Sequence, residues 1–206
     1  PIILILFFIP LEKRNTFSFR KETFKKDFFE GLRYSLKNKI IKINLYIVFI
    51  NALCVRGGLE IQPTIAGEIL SGSSTSLSLI TASAGIGALL ASIFLGSSKY
   101  LQNNLSKIFL PMIIFGFLSS LFIGIFNDME IIILLFLFLG FSTTLIGIGT
   151  QTLIQLEVSE QFRARVLTWW STISFGSLSI GGILIGLFGE ITVSYTHLRA
   201  HETFFD

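Results

Sequence analysis

Charge and cysteine are both scarce in this chain. Charged residues make up 14% of its 206 positions against 51% hydrophobic ones, and the mean hydropathy is +0.74. Soluble domains use about 25% charged residues, so a water-soluble globule is excluded and a membrane protein is indicated. The single cysteine, Cys54, sits inside an apolar run and can form no intrachain disulfide. It reads as a small buried hydrophobe. Both histidines, His197 and His201, fall near the C-terminus. Chemistry in a membrane enzyme needs His, Cys or paired carboxylates converging at one site, and here Asp and Glu are scattered. No GxxxxGK[ST] phosphate loop occurs either, so an ATP-driven exporter would need its nucleotide domain on another chain.

What is present is a series of apolar stretches long enough, as helices, to cross a hydrocarbon core of roughly 30 Å. The spacing places spans near residues 43–67, 77–97, 108–126, 131–154 and 166–189, which is an all-α transmembrane helix bundle. Residues 1–10, PIILILFFIP, are apolar but too short to span, and read as the end of a truncated span rather than a signal peptide.

Ten of the 16 Lys and Arg residues lie in residues 11–42, against Glu12, Glu22, Asp27 and Glu30. This block is a connector between apolar runs and lacks the folded basic face that nucleic-acid binding requires, so no nucleic-acid partner is expected. Phe24, Phe28, Leu32 and Leu36 recur every four residues within it. That period predicts an amphipathic interfacial helix over residues 25–39. Lys99 and Lys107, and then Arg163 and Arg165, occupy later connectors on the same side, while residues 71–76 and 127–130 carry neither Lys nor Arg. The positive-inside rule makes the basic side cytoplasmic.

Ser83, Gly87 and Ala91, and Gly182 with Gly186, fall four residues apart, the spacing by which small residues let membrane helices approach. The first span is the unusual one, because Asn51, Arg56, Glu60 and Pro63 interrupt its apolar text. Arg56 and Glu60, four residues apart, would lie one above the other on an α-helix. From Lys42 they lie roughly 21 Å and 27 Å along the axis. Two roles fit: a mutually paired couple that snorkels outward and anchors the helix, or a cavity or gate pair, with Pro63 loosening the helix and Glu60 linking transport to protons.

The last stretch, residues 193–206, departs from the membrane pattern. VSYTHLRAHET, residues 193–203, resembles the translation of a sequencing-library adapter, so the native text is expected to end at or just before Thr192 and both histidines to be incidental.

Several stretches together resemble a known family. DFFEGLRYSLKN after the basic connector, RGGLEIQPTIAGEIL from Arg56, LSLITASAGIGALLASIFLG from Leu77 and RARVLTWWSTISFGSLSIGGILIG from Arg163 resemble the C-terminal half of major facilitator superfamily transporters. The branch they are most similar to is that of the enterobactin and multidrug exporters. The resemblance implies a secondary transporter that exports drugs, siderophores or other small molecules by alternating access, with no cofactor. It also implies protons as coupling ion, a missing N-terminal half as partner, and a multi-pass location in the bacterial inner membrane. GSSKYLQNNLSK, residues 96–107, occupies the place of the family's loop signature but lacks its acidic residue and arginines. Arg163 and Arg165 match the family's loop before the eleventh span, with Ala164 where Gly is usual. The membrane subunit of an ATP-driven exporter and a non-transporting scaffold or sensor remain the alternatives.

Overall fold

The computed structural model describes residues 21–69, 74–97 and 104–202, with side chains defined for 25–67, 74–97, 104 and 107–184. Among these residues the fold is all-α. Residues 1–20, 70–73, 98–103 and 203–206 lie outside the described residues, and of 185–202 only the backbone is described.

Helix α1 covers Lys21–Lys37. It stops before the expected residue 39 because Asn38 leaves the helix, at φ −86° and ψ 116°, and caps the next one. Its side chain accepts from the amides of Ile40 (3.0 Å) and Ile41 (3.4 Å), satisfying two of the donors a new helix leaves open. Helix α2, Lys39–Ile50, follows. It then winds into a π-helical segment, Asn51–Arg56, and resumes as α3, Gly57–Glu60. The chain turns at Ile61 (φ −87°, ψ 3°) and restarts as α4, Gln62–Thr64, before a second π segment, Ile65–Ile69. Pro63 explains the break: it has no amide hydrogen to offer and its ring crowds the carbonyl four residues back, yet it is tolerated in a first helical turn, where it stands.

Four further helices complete the bundle: α5, Ser74–Ser97; α6, Leu105–Ile123; α7, Met129–Glu157; and α8, Glu160–Glu202. Asp128 caps α7, accepting from the Glu130 amide at 3.2 Å. Among the described residues, three helical stretches are long and apolar enough to cross a membrane, Lys39–Gly67, Ser74–Ser97 and Met129–Glu157, and Lys107–Ile123 is a shorter apolar helix. Five spans were expected. The expected spans near 108–126 and 166–189 fall on α6 and α8. That last helix also runs past the expected end near Gly189, since residues 190–202 contain neither Gly nor Pro to stop it.

Helix α7 is the centre, packed most extensively on α5 and then on α6 and α2. The α5–α7 seam is set by two glycines. A Cβ at Gly87 would collide with the Leu137 carbonyl, and one at Gly140 with the Ala84 carbonyl. Ser83 and Ala91 are buried on α5 beside them. On α8 the close residue is Gly181, where a Cβ would meet the Leu53 carbonyl at 2.8 Å, whereas Gly182 faces open space. One residue along a helix turns the direction by about 100°, so the expected contact at Gly182 belongs to its neighbour. Gly186 lies outside the described side chains.

Apolar cores form at both ends of the bundle. Ile41, Leu45, Ile154, Val158 and Val166 cluster at the basic end. Val55, Ile65, Ile80, Ile123, Ile132, Phe136 and Leu139 cluster toward the other. Cys54 is exposed rather than buried, because the π segment turns Asn51, Ala52 and Val55 inward instead.

Candidate functional site

The first span and α8 meet along a polar seam. Asn51 opens the π segment and is 6% exposed, and its Oδ1 finds no hydrogen-bond partner. Arg56 closes the segment. Its Nη1 reaches the hydroxyl of Ser174 on α8 at 3.5 Å, the outer limit of a hydrogen bond. Its guanidinium also stands 5.7 Å from the centre of the Phe175 ring, within cation–π range. Ser174 and Ser177, three residues apart, are both buried on α8.

Arg56 and Glu60 do not form an ion pair. Both ion pairs among the described residues belong to Arg165, while Glu60 is exposed at the end of α3 and Pro63 is exposed two residues beyond the turn. A π segment closes its bonds over five residues instead of four. That alters the rotation between successive side chains, and Arg56 meets α8 instead. The mutual pairing in the anchor reading is thus not formed.

Toward the basic end the seam continues through residues that the sequence left unremarked. Asn44 Nδ2 donates to the Thr150 carbonyl of α7 at 2.8 Å, and Trp170 Nε1 donates to the Thr150 hydroxyl at 3.1 Å. Asn44 Oδ1, buried like that of Asn51, has no partner. The signal was available: Asn44 and Asn51 stand seven residues apart in an apolar run, on one helical face, where an unsatisfied polar group is costly.

At the basic end itself, Arg165 clamps α1 onto α8. Its Nη2 lies 2.9 Å from Asp27 Oδ1 and its Nη1 2.9 Å from Glu30 Oε2. Gly31 permits the approach, since a Cβ there would fall 2.9 Å from that of Arg165. Trp169 donates from Nε1 to the Phe28 carbonyl at 2.8 Å, and Tyr34 stacks on Phe162 at 4.5 Å between ring centres. Asp27, Phe28, Ala164, Arg165 and Thr168 surround a cavity of about 180 Å³. Arg163, the other arginine of that motif, keeps a buried Nε without a partner. No three His, Cys, Asp or Glu side chains converge to hold a metal among the described residues.

A family model described as transmembrane secretion effector, of the major facilitator type, matches residues 2–202. The chain belongs to that family. No curated protein and no solved structure matches it. Membership in the secretion effector family makes this a transmembrane transporter-type protein, and the apolar helices place it in a membrane.

The arrangement gives such a protein two distinct polar features. One is a half-buried cation with uncommitted neighbours inside the first span. The other is a committed ion-pair clamp at the surface.

Proposed function

We propose that this secretion effector chain forms one wall of a secondary exporter for small molecules such as drugs or siderophores, working by alternating access. The observation that carries the proposal is Arg56, a half-buried cation in an apolar span that no described carboxylate neutralises. An intramembrane charge is costly, and such residues mark substrate or ion pathways. With Ser174 in reach and the buried polar Asn51 and Ser177 on the same two helices, Arg56 supplies a hydrogen-bonding face suited to a polar or anionic group on a substrate. Glu60 and Pro63, farther along the same span, belong to the gate in this proposal, with protons as the coupling ion.

Major facilitator proteins bind substrate between two helical halves, so the opposite wall would come from an N-terminal half of the same protein. The basic connectors favour a cytoplasmic position for α1, in a bacterial inner membrane.

The test is flux in proteoliposomes containing the complete transporter. Arg56→Gln is expected to abolish flux while inserting normally, and Glu60→Gln to flatten its dependence on a proton gradient. Wild-type flux from Arg56→Gln would remove the proposal's basis.

A further inference from the structure

A second cavity, of about 170 Å³, opens at the basic end between α1, α2 and α8. Leu32 and Leu36 of α1, Leu45 and Phe49 of α2 and Ile173 of α8 wall it, and Lys42 stands at its edge. Pockets that enclose drug-sized ligands run to about 300–1,000 Å³, so this one is too small for a substrate of that size. A length of hydrocarbon chain fits it. From Lys42 to Phe49 the groove extends about 10 Å along α2, from the basic turn into the apolar body.

Among the described residues the surface charge above the groove is uncompensated. Arg33, Lys37, Lys39 and Lys42 are all exposed around the α1–α2 turn. Asp27 and Glu30, the carboxylates described on α1, are both held by Arg165. No described carboxylate pairs with the four cations. An apolar slot whose rim is positive and open matches a molecule with a hydrocarbon tail and an anionic head.

We propose that the groove binds one acyl chain of an anionic phospholipid, with the lipid phosphate held by Lys39 and Lys42. A second chain would lie on Ile40 and Ile43, which are exposed beside the groove. A fatty acid has no second chain to cover Ile40 and Ile43, which favours the phospholipid. The lipid fastens the turn between α1 and α2 to the leaflet on the basic side, while Arg165 fastens α1 to α8. This site does not depend on the transport proposal.

Native mass spectrometry of the 206-residue chain tests it, with phosphatidylglycerol and phosphatidylcholine of identical acyl chains offered in equal amounts. A one-to-one phosphatidylglycerol adduct is expected, retained about 25-fold more than phosphatidylcholine. Each basic residue near an anionic lipid surface is worth about fivefold, so Lys39→Gln with Lys42→Gln should bring retention down to the phosphatidylcholine level. Lys25→Gln with Lys26→Gln removes the same charge away from the groove and should leave the preference intact. Leu36→Trp, which fills the groove and keeps the lysines, should weaken the adduct. Equal retention of the two lipids by the unaltered chain would overturn the proposal. So would equal loss from the Lys25 and Lys26 pair, which would mean diffuse surface attraction. Displacement by oleate at equal concentration would assign the site to a fatty acid, and a dimer with lipid-free grooves would assign it to a second copy.

Discussion

The two ends of the first span are built differently. At the basic end α2 is a regular helix with a capped start, and named polar contacts tie its surroundings together: Asn38 to the Ile40 and Ile41 amides, Asn44 to Thr150, Trp170 to Thr150, Arg165 to Asp27 and Glu30. At the far end the same span breaks into π segments and short helices around a turn at Ile61. There Glu60 and Pro63 are exposed and the core is apolar. One end is fixed by several directional bonds between distant parts of the chain; at the other, Thr81 donates to Gln62 Oε1 at 3.1 Å and the rest is packing that tolerates a change of winding. The difference teaches where a moving part can sit: segments with few fixed polar contacts open at lower cost than those tied into a network.

Substitutions can break or sharpen this contrast. The largest effect is expected at the α5–α7 seam that both ends share. Gly87→Leu drives a side chain into the Leu137 backbone and should cost about 3 kcal/mol or more, read as loss of folded protein after detergent extraction. A tolerated leucine would mean that the helices are farther apart than described.

Next comes the clamp. Arg165→Ala strands Asp27 and Glu30, but the groups are 32–44% exposed, so solvent screening limits the loss to about 1 kcal/mol. Its sharper readout is trypsin cleavage at Arg33, which should accelerate as α1 leaves α8 while cleavage elsewhere does not. An unchanged digestion pattern would show that the aromatic contacts of Phe28 and Tyr34 hold α1 unaided.

Trp170→Phe keeps the ring and removes the donor to Thr150, at a cost of about 1 kcal/mol in thermal stability. The smallest effect is expected at the far end. Pro63→Ala should move stability by no more than about 0.5 kcal/mol, because proline already sits in a first turn that needs no donor from it. A gain well above that would mean that the break at Ile61 is held open against a regular helix, and the contrast between the ends would become one of strain.

Much of the fold was legible in the sequence, for a physical reason. A backbone in hydrocarbon must satisfy its own hydrogen bonds, so long apolar stretches determine helices whatever their neighbours. The period of Phe28, Leu32 and Leu36 likewise determined α1 before any contact was known. The costly residues Asn51 and Arg56 could be picked out as exceptions to that solvent rule.

What the sequence could not determine was direction and partner. One of the two readings joined Arg56 to Glu60, four residues on, and Arg56 meets Ser174 across 118 positions instead. Arg165 finds Glu30 across 135 positions, and Cys54 faces outward because a π segment rotated the helix. Gly181 rather than Gly182 takes the helix contact. The sequence determined which residues are helical and which are expensive to bury. Only the tertiary structure decided what each faces, because a turn of about 100° per residue makes facing depend on the winding and packing of the whole bundle.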